Sequence, residues 1–176
     1  MRTVWEEKRC LTALGPTVRS EAVNFELLPR VGAGPLRFGM SRAHVRSAMS
    51  NLGFPLENEH LTLDHFCENA IRTEYKDDSL SFMEFWCHGR TVPRYRGTDV
   101  FSVTAEALFT AIAGVEGGGP HTSDPTEYLF PEQIVCLWAA HPQYDLRTNQ
   151  TRVVWGTVGV GDARYLEAVR SLDSGA

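Results

Sequence analysis

The feature that most constrains this chain is a pair of apolar, partly alternating runs with too little sequence between them for anything but a hairpin. Residues 70–75 read Ala-Ile-Arg-Thr-Glu-Tyr, residues 80–86 read Leu-Ser-Phe-Met-Glu-Phe-Trp, and only Lys76, Asp77, Asp78 and Ser79 separate them. Asp and Ser side chains hydrogen-bond their own backbone and so favour turns. Parallel neighbours need a crossover of about a dozen residues or more, so these strands must pair antiparallel. In the second run Leu80, Phe82, Glu84 and Trp86 are expected on one face, with Met83 and Phe85 on the other. The helical segments lie outside this hairpin. The expected class is therefore α+β: an antiparallel sheet with two or three helices packed mainly on one face.

Elsewhere the chain reads as strand at 24–29 and again at 36–38, where Leu36 and Phe38 alternate with Pro35 and Arg37. A helix is expected after Ser41, a residue type whose hydroxyl caps orphan backbone N–H groups. Val45, Ala48, Met49 and Leu52 form its apolar stripe, and Gly53 and Pro55 end it. Residues 56–69 are polar and read as irregular, and 97–101 as a short extended piece. A second helix spans 103–113, capped by Ser102 or Thr104, with Ala105, Leu108, Phe109 and Ile112 inward. Gly117, Gly118 and Gly119 open a loop reaching Pro125. Residues 133–139 and 151–160 read as strands, and Tyr128–Phe130 leads into the first of them. A third helix, 163–172, is capped by Asp162 and faces inward with Tyr165, Leu166, Val169 and Leu172. Trp86, Trp138 and Trp155 fall in strands at or near the core, whereas Trp5 lies in an N-terminal extension, residues 1–22, with room for a short helix. Residues 23–176 make a single α+β domain. At 176 residues such a chain buries about 70% of its unfolded surface and needs no metal or disulfide to fold.

The net charge of −5 disfavours a nucleic-acid partner, since such proteins are normally basic. Apolar runs stay far short of the roughly 18 residues a membrane span requires, so no membrane partner is expected. The first nine residues carry charges and no apolar signal core, which predicts a cytoplasmic protein. In that compartment Cys10, Cys67, Cys87 and Cys136 are expected to stay reduced, as small buried hydrophobes. The Asn149-Gln150-Thr151 sequon then has no consequence.

Chemistry-bearing patterns are weak. Gly32-Ala33-Gly34-Pro35-Leu36-Arg37-Phe38-Gly39 has neither phosphate-loop spacing. His65, Cys67, Cys87 and His88 could meet across the sheet but lack the tight spacing of a zinc site. His121-Thr122-Ser123-Asp124 places triad residue types side by side, whereas triad members meet through the fold. No catalytic, cofactor-binding or metal residue is assigned. Charge placement is more informative: residues 57–84 hold eight acids against Arg72 and Lys76, a net of −6. A concentrated negative field speeds encounter with a basic partner. Glu57, Glu59, Asp64, Glu68, Asp77 and Asp78 are therefore candidate partner-binding residues. Arg94, Tyr95 and Arg96, beside Arg90, join them as hot-spot residue types. The competing readings are a solvated face and arginines that merely neutralise the neighbouring acids.

Residues 31–45, Val-Gly-Ala-Gly-Pro-Leu-Arg-Phe-Gly-Met-Ser-Arg-Ala-His-Val, carry a G-x-G-P-L-x-F-G-M-S element that resembles the opening of small bacterial immunity proteins of polymorphic toxin systems. The 75–86 hairpin and the 97–101 piece are similar in style, and looser similarity extends to about residue 113. A shorter G-M-[ST]-x-x-x-V form occurs in the BamE/SmpA-type outer-membrane assembly lipoproteins. Those carry a lipidated cysteine, whereas Cys10 here follows charged residues. The resemblance implies a non-enzymatic cytoplasmic protein that neutralises a cognate toxin domain by covering its active site. The contact residues of that family vary with the partner, so none transfers to this chain. The alternative is a small-molecule-binding enzyme or sensor with residues 114–125 as a lid over a pocket lined by His121 and Tyr128. A third reading is a structural subunit that self-associates.

Overall fold

The computed structural model describes residues 21–145 and 150–173. In chain order the elements are β1 (Val23–Leu28), β2 (Gly32–Ala33), β3 (Leu36–Arg37), α1 (Arg42–Asn51), β4 (Leu56–Glu59), β5 (Leu63–Phe66), β6 (Ile71–Lys76), β7 (Ser79–Trp86), β8 (Thr91–Tyr95), β9 (Thr98–Asp99), α2 (Ala105–Ala113), β10 (Glu127–Phe130), β11 (Val135–Asp145), β12 (Gln150–Gly161) and α3 (Ala163–Asp173). The fold is α+β, with strands outweighing helices. The strands form two sheets where one was expected: a five-stranded sheet ordered β3-β2-β1-β8-β9 and a seven-stranded sheet ordered β10-β11-β12-β7-β6-β5-β4. The larger sheet is antiparallel throughout. In the smaller one β1 and β8 run parallel, and the whole segment from β2 to β7 supplies their crossover.

The 70–86 hairpin forms as β6 and β7, with Lys76 opposite Ser79. Asp77 and Asp78 both take positive φ, 51° and 57°, the backbone of the two-residue turn that matches strand twist. The register shifts between Glu74 and Tyr75, so Tyr75 faces Leu80 while Glu74 faces Phe82. That irregularity corrects the alternation read from sequence: Leu80 joins Met83 and Phe85 in the main core, and Phe82 and Glu84 lie on the other face.

Helix caps follow the local chemistry. Ser41 Oγ accepts from His44 N, Thr104 Oγ1 from Ala107 N, and Asp162 Oδ1 from Arg164 N and Tyr165 N. Helix α2 buries Ala105, Leu108, Phe109 and Ile112, and α1 buries Val45 and Met49. Both face a continuous core that ties the two sheets together. Phe25 of β1 lies 5.3 Å from Phe85 of β7 and 6.2 Å from Phe54. Helix α3 packs on the opposite face of the larger sheet, where Tyr165 stacks on Phe82 at 4.0 Å. Leu166 is buried there, but Leu172 is 83% exposed and does not join the inward face.

The G-x-G pattern serves a tight turn of sheet. Gly32, at φ 154°, faces Arg37 across the β2–β3 pair, and a Cβ there would sit 2.0 Å from the Leu36 carbonyl oxygen. Residues 56–69, expected to be irregular, contain β4 and β5. The alternation of β5 is hidden in sequence because one of its inward residues is Asp64. Arg94 and Tyr95 belong to β8, where Pro93 sits within the strand. Cys67 and Cys136 are buried and free. Cys87 is disulfide-bonded, which corrects the expectation of a reduced thiol. Cys10, Trp5, the extension over residues 1–20 and Asn149 lie outside the described residues. Among the described residues no helix is long and apolar enough to cross a membrane.

Candidate interaction surface

The acidic segment is divided by the fold. Asp64 is completely buried, which corrects its assignment to a partner-facing surface. Arg42 Nη2 reaches Asp64 Oδ1 at 2.6 Å, and Arg46 Nε reaches Oδ2 at 2.7 Å. The two arginines sit one helical turn apart on α1, so both guanidiniums converge on one carboxylate. Burial pushes the Asp64 pKa up, but hydrogen bonds from Arg46 and Arg42 outweigh it and hold the group below its ordinary value. Arg42 also donates to the carbonyls of His60, Leu61 and Leu63, fastening the β4–β5 turn to the helix.

The other acids of the segment remain exposed in two places. Glu59 lies on β4, the edge strand of the larger sheet, 2.8 Å from Arg46 Nη2. Glu57 on the same strand accepts from the backbone N–H groups of Glu68 and Asn69 at 2.7 and 3.0 Å. That contact stabilises a turn in which Cys67, Glu68 and Asn69 all have positive φ. Glu68 is itself largely exposed. Asp77 and Asp78 lie at the far end of β6, in the hairpin turn. Of the basic cluster, Arg96 is exposed at the tip of the β8–β9 turn. Arg94 is half-buried and bonded to Asn24 Oδ1 and the Gly97 carbonyl. Tyr95 is buried, its hydroxyl donating to Gln133 Oε1 at 2.5 Å. Tyr95 is therefore a core contact between β8 and the β10–β11 turn, which corrects its assignment as a surface anchor.

His121 and Tyr128 do meet, at 2.8 Å between Nδ1 and the hydroxyl. His121 Nε2 contacts the Gly117 carbonyl at 3.0 Å, so Nε2 carries the proton and Nδ1 accepts from Tyr128. With Phe109 and Phe130 packed alongside, the pair latches the glycine loop to the sheet. Cys67 and His88 also meet, with Sγ 3.3 Å from Nδ1. Burial pushes the Cys67 thiol up to about 11, so it is not a thiolate nucleophile near neutral pH. His65 lies on β5 and pairs in register with Arg72. No group of three or more metal-ligating side chains gathers among the described residues.

One arrangement escaped the sequence reading. On the face of the larger sheet opposite the main core, Arg72 Nη2 contacts Glu74 Oε1 at 2.9 Å and Glu84 Oε2 at 2.5 Å. Glu84 comes from the centre of β7, and its side chain is 8% exposed. Desolvation pushes its pKa up to about 7; Arg72 opposes this and Glu74 adds to it. The Arg72 guanidinium lies 5.7 Å from the centre of the Trp86 ring. Trp86 and Trp138, both half-exposed, flank Thr157 in one cross-strand row. Toward α3 the face continues into a cleft of about 220 Å³ lined by Glu74, Lys76, Ser81, Arg164 and Tyr165 among others. The available signal was a glutamate between Met83 and Phe85 in an otherwise apolar strand. Its ion pairing depends on register, which the sequence does not display.

Compared with known proteins, the chain matches no family model, no curated protein and no solved structure.

Proposed function

We propose that this chain is a non-enzymatic binding protein, an immunity protein that neutralises a cognate toxin by covering a basic active-site cleft. The observation that carries the reading is the sorting of its acids. Asp64, Glu74 and Glu84 are taken up in ion pairs with Arg42, Arg46 and Arg72. Glu57 and Glu68 stay exposed beside the edge strand β4, together with Glu59, which is exposed but keeps a contact with Arg46. A fixed anionic edge raises the encounter rate with a cleft built for phosphates and disfavours nucleic acid itself. The G-x-G-P-L-x-F-G-M-S element supports the same reading by resemblance. An immunity role places the chain in the cytoplasm; the disulfide at Cys87 pulls the other way, because cytosolic thiols stay reduced.

The test is co-expression with a candidate toxin domain, sought in the reading frames beside the gene. Rescue of growth and a stable complex are expected, and the triple charge reversal Glu57→Lys, Glu59→Lys, Glu68→Lys should slow association about tenfold at low salt. Absence of a complex, or substrate turnover by the isolated chain, overturns the proposal.

A further inference from the structure

We infer that the disulfide of Cys87 is made with Cys10 of the same chain, so that a covalent strap fastens the N-terminal extension to the end of β7. The inference is independent of the immunity reading and stands or falls by its own test.

The cysteine count carries it first. The sequence holds Cys10, Cys67, Cys87 and Cys136. Cys87 is disulfide-bonded, whereas Cys67 and Cys136 are buried and free. Cys10 is the cysteine that remains. The two free thiols are also poor rivals for the bond. Exchange is carried by the thiolate, and burial pushes Cys67 up to about 11 and Cys136 up to about 12. Cys67 Sγ is engaged besides by His88 Nδ1 at 3.3 Å.

Reach carries it second. Cys87 is half-buried at the rim of the main core, so its side chain is open to a segment arriving from outside. The chain enters the fold close by. Val23 N donates to the Arg90 carbonyl at 2.9 Å, and Val23 pairs in register with Thr91. Thr91 in turn bridges to His88, the neighbour of Cys87. Residues 11–22 separate Cys10 from Val23, and twelve extended residues span roughly 40 Å. A disulfide needs Cα atoms about 4.4–6.8 Å apart, so the connecting segment has slack to spare.

Closing the bond takes one hydrogen from each thiol. Oxidised glutathione accepts both, with two electrons, and leaves as two molecules of glutathione. Disulfides persist in oxidising compartments and are rare in the cytosol. The strap is therefore a redox-responsive fastening, closed under oxidising conditions and open once a thiol reductant reaches Cys87.

The test is a peptide map of the full chain, folded in a glutathione redox buffer, alkylated and cut with trypsin without reduction. Trypsin places the four cysteines in separate peptides: 10–19, 47–72, 77–90 and 97–147. Expected is a linked pair of 10–19 with 77–90, lost on reduction, from a chain that runs as a monomer on a non-reducing gel. Peptide 77–90 joined to itself, to 47–72 or to 97–147, left unlinked, or found in a covalent dimer overturns the inference. Cys10→Ser and Cys87→Ser should each lower the melting temperature by about 5–10 °C without reductant, since the strap encloses residues 11–86. The double variant should lose no more than either single one, because both remove the same bond. Additive losses, or an unaltered chain whose melting ignores reductant, also overturn it. Should the variants not fold, the map of the unaltered chain decides alone.

Discussion

At Asp64 a carboxylate with no solvent exposure is held by two guanidiniums from one helix. Taking such a charge out of water costs several kcal/mol per ion, and the fold offsets that cost only because Arg42 and Arg46 both arrive with hydrogen bonds. Removing one side is more damaging than the net worth of the pair. Asp64→Ala should cost about 3–5 kcal/mol, read as a lower urea midpoint with an unchanged slope. The folded-state pKa of Asp64 is lowered from 3.8. Its contribution is therefore fully present above that value and is lost as pH falls through the folded pKa. The stability difference between Asp64→Ala and the unaltered chain should shrink in acid and be constant near neutrality. A difference that persists below the folded-state pKa would show that Asp64 acts through packing instead.

The β6–β7 hairpin is an element whose turn is made by residues not ideally suited to it. Asp77 and Asp78 both sit at positive φ, which L-residues with a Cβ adopt at a cost and which Asn-Gly adopts readily. Replacing the pair, Asp77→Asn with Asp78→Gly, should raise stability by about 0.5–1 kcal/mol in thermal unfolding. The Asp78 carbonyl would still accept from Arg42 N, since that contact is to backbone. Destabilisation would mean that the aspartate side chains contribute to the turn more than their backbone strain removes. This element was also the most legible in sequence, because its pairing follows from spacing alone. Strands β4 and β5 were illegible for the opposite reason. Their pattern includes an inward Asp64, and only a helix some twenty residues earlier makes an inward aspartate tolerable.

At the scale of the whole molecule the two sheets are interleaved along the chain. The smaller takes β1–β3 and β8–β9, and the larger takes β4–β7 and β10–β12. Neither sheet is a continuous stretch that could unfold by itself, and Phe25, Phe54 and Phe85 belong to a core common to both. Unfolding is therefore expected as one cooperative transition, with near-UV and far-UV circular dichroism midpoints coincident in urea. Separated midpoints would show that the sheets are independently stable.

Local chemistry by itself determined the hairpin, the caps at Ser41 and Asp162, the buried stripe of α2 and the α+β class, and narrowed the cap of α2 to Ser102 or Thr104. Each depends on contacts within a few residues, which spacing and residue type display directly. Tertiary structure alone decided that there are two sheets, that β1 and β8 run parallel, and that Tyr95 and Asp64 are buried. It also decided which acids are neutralised and which remain exposed. Those outcomes depend on register and on partners far away in sequence: Asp64 is an internal strut because two guanidiniums of α1 reach it in space, whereas Glu57 and Glu68 stay at the surface.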